Sequence, residues 1–223
     1  MRYEKKYVSR QGQLDSVLLA MKSECASLVE QHQPRIVNSL YFENQDRLST
    51  LDQIEGNSLR SKFRVRWYGV GSGIDQPILE IKAKTGHVGR KLKSKLAMTY
   101  VDIGDLAENA VDDIVDDSLR LRAKCLMLEP VLKVKYRRRY FLLNHQIRMT
   151  IDDGLTFSSL ARNGQVPKIY ESSDVIVEFK FSPESINMLP KLSQWTNLRY
   201  SKYSKFLSGM EMLGNREMAR FYA

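Results

Sequence analysis

Short segments in which charged and apolar residues alternate recur along much of the chain. Because successive side chains of a β-strand point to opposite faces, each segment predicts a strand with one charged face and one apolar face. The charged faces are mostly positive, as at Arg64 and Arg66. Closed into a barrel, such strands would enclose a tunnel suited to a polyanion. The clearest segments are Arg2–Tyr7, Phe63–Trp67, Ile78–Lys84 and Gln146–Asp152.

The rest of the pattern predicts an α+β fold. Apolar residues at helical spacing predict a helix over Leu14–Val29 and another over Val101–Met127. A helix start is expected at Ser182-Pro183, and a last helix over Ser201–Phe221. Strands follow one another through short links, which favours antiparallel pairing over parallel βαβ winding. The predicted strands are Arg2–Ser9, Ile36–Phe42, Ser61–Tyr68, Pro77–Lys84, Gly89–Ala97, Val131–Tyr136 (which continues or restarts through Arg139–Asn144), Gln146–Asp152 and Asp174–Phe181, with a turn at Asn163-Gly164.

No internal repeat or Pro/Gly/Ser-rich linker interrupts the sequence, which predicts a single domain over residues 1–223. Cys25 and Cys125 lack the spacing of a zinc site or a disulfide framework. No run reaches the ~20 apolar residues of a membrane span, and the first predicted strand begins at residue 2, which predicts no signal peptide. These features together predict a cytoplasmic protein.

The net charge of +9 points to an anionic partner. Nucleic acid, a membrane surface and phosphorylated small molecules all fit at this level. The segment Asp102–Asp117 carries seven acids and no base, so the rest of the chain is more basic still. A solvated helix face is the favoured explanation for this acidic segment, ahead of a docking surface for a partner or a screen at the mouth of the tunnel.

Charge type narrows the choice of partner. If one strand is considered alone, a solvated face of an antiparallel sheet is the better explanation of its charges. Solvated faces mix Glu and Lys, however, whereas the charged strands taken together carry mostly Arg and Lys. Arg and Lys together suit phosphate. Single-strand nucleic-acid binders usually expose aromatic platforms beside their basic grooves, so nucleic acid is disfavoured. Carboxylates lie among the cations at Glu4, Glu80 and Glu178, and carboxylates beside phosphates suit Mg²⁺ or Mn²⁺.

Several motifs, taken in chain order, carry a family resemblance. They are Arg2–Tyr7, Ser39–Asn44, Phe63–Gly69, Leu79–Lys82, Gly89–Lys93, Glu129–Val131 with Tyr136–Arg138, Ile147–Asp152, Val177–Lys180 and Arg199–Tyr203. This series resembles the catalytic domain of the VTC (vacuolar transporter chaperone) polyphosphate polymerases, in the CYTH-like triphosphate tunnel metalloenzyme superfamily. The SPX domain and membrane helices of the eukaryotic relatives have no counterpart in the sequence, so the resemblance is to a stand-alone, bacterial-type form. A membrane-protein partner is left open.

The resemblance implies an antiparallel β-barrel tunnel of about eight strands with helices packed around it. It also implies transfer of the ATP γ-phosphoryl group to polyphosphate, with ADP released and Mn²⁺ or Mg²⁺ bound. By matched positions, the residues implied to hold phosphates are Lys6, Arg64, Arg66, Lys82, Lys93, Arg138, Arg148, Arg199 and Lys202. Tyr136 is implied to orient nucleotide or phosphate. The metal is assigned to Glu178, with Glu4 and Glu80 as secondary candidates.

One arginine of the family lacks a clear counterpart, and Arg60 or Lys62 is the expected replacement. Lys91 and Lys180 are further secondary candidates. The same groups would also serve hydrolysis of inorganic or organic triphosphates, or polyphosphate binding without turnover, so the sequence leaves these alternatives open. The expected partners are ATP and either polyphosphate or triphosphate.

Overall fold

The computed structural model describes residues 3–24, 27–86, 88–161, 166–188 and 198–214. Ten strands lie in this part of the chain. They are β1 (Tyr3–Arg10), β2 (Leu28–Glu43), β3 (Leu59–Tyr68), β4 (Ile78–Thr85), β5 (Val88–Lys95), β6 (Glu129–Leu143), β7 (Ile147–Ser158), β8 (Ile169–Ser172), β9 (Asp174–Phe181) and β10 (Arg199–Tyr200).

The same described residues contain five α-helices and two short 3₁₀ helices. The α-helices are α1 (Leu14–Glu24), α2 (Leu48–Ile54), α3 (Ile103–Asn109), α4 (Asp117–Cys125) and α5 (Lys205–Met212). The 3₁₀ helices are Gln11–Gln13 and Pro183–Met188. No helix in the described ranges has the length and hydropathy of a membrane span.

The strands form a mostly antiparallel sheet, which confirms the predicted α+β class. Their hydrogen-bonded order is β10–β1–β9–β7–β6–β2–β3–β4–β5, with β8 paired to β7. The count is therefore ten rather than about eight. Within the described residues the order begins at β10 and ends at β5 without a ladder that joins them, so this sheet is not closed as the predicted barrel would be.

The predicted first helix is too long at its C-terminal end. Helix α1 ends at Glu24, and Leu28 and Val29, which the prediction placed in the helix, begin β2. The first half of β2 carries polar residues on both faces and is mostly exposed, so it lacks the apolar alternation that identifies a strand. Its contacts are with distant segments, as where His32 meets Tyr140 of β6 with ring centroids 5.6 Å apart.

The acidic segment forms two helices instead of the single one predicted over Val101–Met127. Between α3 and α4 the chain leaves helical geometry to pair with the end of β5, through the bridge between Leu96 and Ile114. The backbone N–H of Val115 also donates to the carbonyl of Lys95. Asp116 then caps α4 by accepting from the N–H of Leu119, which restarts the helix.

Of the two alternatives for the β6 segment, continuation of one strand through Arg139–Asn144 is confirmed, because Glu129–Leu143 is a single strand. The arginines at 137 to 139 continue one strand because their side chains alternate between the two faces, where each finds an aspartate of β7. Strand β9 has the predicted bounds. The predicted helix start at Ser182-Pro183 is a 3₁₀ helix. Helix α5 begins at Lys205 rather than Ser201. Residues 163 and 164 of the predicted turn, and residues beyond 214, lie outside the described part of the chain.

The chain divides into two compact units. The β1–β9 unit comprises Met1–Ile36, Tyr136–Leu155 and Glu171–Ser204, and the β3–β5 unit comprises Val37–Lys135, Thr156–Tyr170 and Lys205–Ala223. The single-domain assignment of residues 1–223 stays a prediction. In the β1–β9 unit, α1 packs through Leu14, Val17 and Met21 on the apolar faces of β1, β7 and β9.

In the β3–β5 unit, α3 and α4 pack on the apolar face of the sheet. Leu106 and Leu119 of these helices share a core with Phe63 and Val65 of β3 and Ile81 of β4. Because side chains alternate along a strand, Arg64, Arg66 and Glu80 belong to the other face. Packing of the helices on one face therefore leaves the charged side chains together on the opposite face.

Gly209 allows close packing of α5 in the β3–β5 unit. A Cβ atom at this position would lie 2.6 Å from Leu132 Cδ2 and 2.7 Å from Phe157 Cδ1, and both side chains are fully buried. Gly209→Ala is expected to destabilise the fold by about 1–2 kcal/mol, because overpacking outweighs the helix propensity gained. Thermal unfolding should show a lower Tm, while Gly73→Ala, with no atom within 4 Å of its Cβ, should leave the Tm nearly unchanged. Equal melting temperatures for the two variants would contradict the predicted overpacking.

Candidate functional site

Four neighbouring strands of the β3–β5 unit bring polar or charged side chains together on one face. Tyr41 of β2 lies opposite Arg64 of β3, and Arg64 lies opposite Glu80 of β4. Strand β5 contributes Lys91, which reaches Glu80 from a diagonal position. With Arg66, these residues form the Glu80 cluster.

Glu80 is the centre of this cluster. Its Oε2 accepts hydrogen bonds from Nε of Arg64 at 3.0 Å and Nη2 of Arg64 at 2.6 Å, and lies 3.7 Å from Nη1 of Arg66. Its Oε1 lies 2.5 Å from Nζ of Lys91. Burial alone would raise the pKa of Glu80, but the two arginines and Lys91 lower it to about 2. The carboxylate is therefore ionised at neutral pH and balances part of the positive charge around it.

Tyr41 lies on the other side of Arg64. Its hydroxyl oxygen accepts a hydrogen bond from Nη1 of Arg64 at 3.1 Å. Its ring lies 5.2 Å, centroid to centroid, from Phe206 of α5. Burial would raise the pKa of the phenol, but Arg64, Arg66 and Lys62 together lower it to about 8. The side chain of Arg64 is thus held between a phenol and a carboxylate.

The other predicted cations of this unit lie on the same face. Lys62 of β3, Lys82 of β4 and Lys91 are in register across three strands. Lys93 lies opposite Glu80 and is exposed. Arg60 is at the far end of β3, where its Nη1 donates to the carbonyl of Asn57 at 3.2 Å. Lys91, a secondary candidate from the sequence, has a pKa lowered by burial despite the contact with Glu80.

The β1–β9 unit contains a second charged group, the Glu178 cluster, formed by Glu4 and Lys6 of β1 and Glu178 and Lys180 of β9. Cross-strand register places Lys6 opposite Glu178 and Glu4 opposite Lys180. Glu178 Oε1 lies 2.7 Å from Nζ of Lys180, and Lys6 Nζ lies 3.1 Å from Glu4 Oε1 and 3.9 Å from Glu178 Oε2. Two carboxylates and two ammonium groups thus alternate on one face.

Glu178 is the more buried carboxylate of this cluster, with 12% of its side chain exposed against 37% for Glu4. Burial would raise its pKa, but Lys180, Lys6 and Arg138 lower it, so the group is an anion at neutral pH. Two carboxylates on adjacent strands are oxygen donors of the type that Mg²⁺ and Mn²⁺ take, with phosphate oxygens to complete the shell. The donor set therefore fits the predicted metal. Among the described residues, no group of three or more His, Cys, Asp or Glu side chains forms a metal cage.

Arg138 belongs to the same unit and is bound by a carboxylate that the sequence analysis did not assign to the site. Its Nε and Nη2 donate to Oδ1 and Oδ2 of Asp152 at 2.5 and 2.7 Å, which fixes the guanidinium plane. The pair holds the pKa of Arg138 well above its ordinary value although burial opposes it. The guanidinium carbon also lies 5.3 Å from the ring centroid of Tyr136, which is buried.

The neighbouring arginines of β6 point to the opposite face. Arg137 and Arg139 both donate to Asp153, at 2.8 and 3.1 Å. Asp153 is 2% exposed. It is therefore a buried carboxylate that two arginines bind outside the predicted site. It provides an internal comparison for Glu80.

Among the remaining predicted residues, Arg148 of β7 is exposed and lies opposite Lys180 of β9. Lys202 is exposed in the segment after β10. The backbone of Arg199 pairs with Val8 of β1, while its side chain lies outside the described part of the structure. The functional roles of all these residues stay predictions.

Sequence reasoning missed Tyr41 and Asp152. Tyr41 lies within the Ser39–Asn44 motif. Its position opposite Arg64 could be predicted only from the register of β2 and β3. Asp152 carried a signal that was recognisable, because it is an acid on the charged face of a strand, two residues from Thr150 and four from Arg148. Its partner lies on another strand, which local patterns do not identify.

Residues 1–214 match the model of the VTC domain family. The chain belongs to this family. No curated protein matches the chain. As a VTC domain, the protein is similar in fold to several solved structures, among them two candidate adenylyl cyclases.

Three of these structures share 12–13% sequence identity with the VTC domain described here. A candidate adenylate cyclase from Bacillus halodurans has a TM-score of 0.58, with 92% of this chain and 94% of that chain covered. A candidate adenylyl cyclase from Hippeastrum with a dominant triphosphatase activity has a TM-score of 0.56, with 95% and 96% covered. A protein from Pyrococcus horikoshii has a TM-score of 0.53, with 95% and 99% covered. At these identities, the similarity shows a shared fold.

Proposed function

We propose that this VTC domain is a metal-dependent phosphotransferase that lengthens polyphosphate with the γ-phosphoryl group of ATP. The observation that carries the proposal is the Glu80 cluster, in which Arg64, Arg66 and Lys91 surround a single carboxylate in a protein of the VTC family. Three cations against one anion leave a positive field that phosphate groups would balance. A cytoplasmic location, where ATP is present, belongs to the same proposal.

Phosphoryl transfer requires the protein mainly to position the reactants and to neutralise their negative charge. Phosphoryl transfer passes through a loose transition state in most analyses, with negative charge spread over the phosphoryl oxygens. Arg64 and Arg66 can donate planar pairs of hydrogen bonds to such oxygens, and Lys91 supplies a compact charge. The attacking end of polyphosphate is already an anion, so the transfer requires no general base from the protein.

Glu178 and Glu4 are the residues that would hold the divalent metal. When bound, the metal would neutralise charge on the phosphates. We assign Glu80 a different role, because two arginines and a lysine contact its oxygens at 2.5–3.7 Å and Arg64 donates two hydrogen bonds to Oε2, whereas the ion-pair partners of Glu178 are two lysines. Its contacts support a counter-ion that positions Arg64 and Lys91, in place of the secondary metal role expected from the sequence.

A second candidate function is hydrolysis of triphosphate, with water as the acceptor. The triphosphatase activity of the Hippeastrum protein, which has a similar fold, favours this alternative. The two candidates use the same cations, and they differ in the group that attacks the phosphorus.

Incubation of the purified protein with ATP and Mn²⁺ separates the candidates. The proposal expects ADP together with an acid-labile polymer of phosphate. Release of inorganic phosphate from tripolyphosphate without polymer would favour the hydrolase, and tight polyphosphate binding without turnover would indicate a binding module.

Arg66→Ala tests whether the Glu80 cluster binds the substrate. Loss of one guanidinium from a phosphate site is expected to weaken tripolyphosphate binding about tenfold, measured by calorimetry without metal. Arg120→Ala provides the control, because Arg120 belongs to α4 and contacts Asp117 and the carbonyl of Ile114. Equal affinities for the two variants would place the binding site elsewhere.

A further inference from the structure

Tyr41 lies within the Ser39–Asn44 motif, but the family resemblance assigns no role to it in the Glu80 cluster. The residue is only 5% exposed, although it shares the face of the sheet that carries Arg64. The hydroxyl nevertheless contacts one of the cations that we propose to bind phosphate, through the 3.1 Å hydrogen bond from Nη1 of Arg64. A buried phenol that contacts such a cation can control the direction in which that cation points.

The hydrogen bonds of Arg64 show how this control would operate. Nε and Nη2, on one edge of the guanidinium, donate to Glu80. Nη1, on the other side, donates to Tyr41. Because the guanidinium is planar and rigid, contacts on both sides fix its plane and its rotation about the side chain. With only one of these contacts, the guanidinium of Arg64 could still rotate about that contact.

Tyr41 is itself held in place. Its ring packs at 5.2 Å against Phe206, on α5. Lys62 lies 5.9 Å from the centroid of the same Phe206 ring. The position of the phenol is therefore set by a helix packed beside it, in addition to the strand that carries it.

We propose that Tyr41 is a positioning residue of the phosphate site, which acts by holding the guanidinium of Arg64 in the orientation that receives a phosphate group. This inference rests on the proposed function and adds a residue to its site. Tyr41 has no contact with substrate in this assignment, so its effect on binding passes entirely through Arg64.

The first experiment is a double-mutant cycle on tripolyphosphate affinity, measured by calorimetry with the full chain and without metal. Tyr41→Phe keeps the ring against Phe206 and removes only the oxygen. We expect it to weaken binding about fivefold in the wild-type background, within the range of couplings between contacting residues. In an Arg64→Ala background the same substitution should change affinity less than twofold, because its target is gone.

Tyr100→Phe is the matched control. Tyr100 is also buried, and its hydroxyl donates to Asp113 at 2.7 Å on the side of α3. Its loss should leave tripolyphosphate affinity within twofold of the wild type. An equal affinity for Tyr41→Phe and the wild type would overturn the inference, as would a fivefold loss that persists in the Arg64→Ala background. If the wild-type protein itself fails to bind tripolyphosphate, the proposed function fails first.

The pH dependence supplies a second readout that a purely structural role would not change. The charged groups around the hydroxyl are Arg64, Arg66 and Lys62 of β3, with Glu80 of β4 beyond Arg64, and these cations lower the pKa of Tyr41 to about 8. Above that pH a phenolate would neutralise Arg64, so wild-type affinity should fall. The affinity of Tyr41→Phe should not show this decrease. The affinity of Tyr100→Phe should show it, together with the pH dependence that titration of the ligand and of the lysines produces in every variant. Identical pH profiles for the wild type and Tyr41→Phe would overturn the inference.

Discussion

Replacement of Glu178 by glutamine is expected to lower the rate of phosphoryl transfer about a hundredfold. Glutamine keeps the size of the side chain but removes the charge that would bind Mn²⁺ or Mg²⁺. Loss of one well-placed electrostatic stabiliser costs about 3 kcal/mol in the transition state. The rate should be measured as ADP formed from ATP at saturating Mn²⁺, and Mn²⁺ binding in the presence of tripolyphosphate should weaken in parallel.

The contacts of Glu178 also predict what the variant should retain. Lys6 and Lys180 lose an anionic neighbour, so affinity for tripolyphosphate without metal should stay equal or increase. Glu108→Gln, at an exposed position of α3, is the control for loss of one negative charge and should keep full activity. Near-normal turnover and normal Mn²⁺ binding in Glu178→Gln would exclude the metal assignment.

Glu80→Gln should have a large effect on stability. Its carboxylate is 4% exposed and contacts Arg64, Arg66 and Lys91, so the substitution would leave three cations without their common counter-ion. Removal of one partner from a buried ion pair typically costs 3–5 kcal/mol, and we expect about 3 kcal/mol here. For a chain of this length, that corresponds to a decrease in Tm of roughly 6–12 °C.

The ligand dependence of this loss tests the role of Glu80. If the cluster binds phosphates, tripolyphosphate should restore the missing negative charge and raise the Tm of Glu80→Gln more than that of the wild type. Asp153→Asn is the matched control, because Asp153 is a buried carboxylate bound by Arg137 and Arg139 on another face. It should be destabilised without any extra response to tripolyphosphate. Equal ligand responses in the two variants would contradict a counter-ion role for Glu80.

The pH dependence of the same stability difference has a defined sign. The folded pKa of Glu80 is about 2, below its ordinary value of 4.5. The stabilisation is therefore fully present above pH 4.5 and is lost as the pH falls towards 2. The difference in unfolding free energy between wild type and Glu80→Gln should decrease over that window. A difference that stays constant down to pH 2 would contradict the ion-pair origin.

The sequence predicted the parts of the fold that have a local signature. In the second half of β9, buried Val177, Phe179 and Phe181 alternate with charged Glu178 and Lys180, and the strand has the bounds that the pattern predicted. The first half of β2 has no apolar face, and it becomes a strand only because β6 pairs with it. The break between α3 and α4 likewise depends on the bridge from Leu96 to Ile114, which joins segments distant in the chain.

The site was predictable to a similar extent. The alternation of Arg64 with Arg66, and of Lys6 with Glu4, identified the residues that share a charged face. Which cation contacts which anion depends on register and side-chain reach. Lys93 is directly opposite Glu80, yet Lys91 makes the 2.5 Å contact from the diagonal. The contact of Asp152 could not be predicted for the same reason, because its hydrogen bond from Arg138 joins two strands.

The packing of α3 and α4 has a kinetic consequence. The segment Asp102–Asp117, which contains α3 and the start of α4, carries seven acids and no base, and the two helices cover the apolar face of a sheet whose other face carries the Glu80 cluster. The β3–β5 unit is therefore an electric dipole with its positive end at the cluster. Under the proposed function, a diffusing polyanion would experience a torque that turns this end towards it, and dissolved salt screens this interaction beyond about one Debye length. Under the proposed function, the acids of this segment would thus also favour the approach of substrate to the charged face of the sheet.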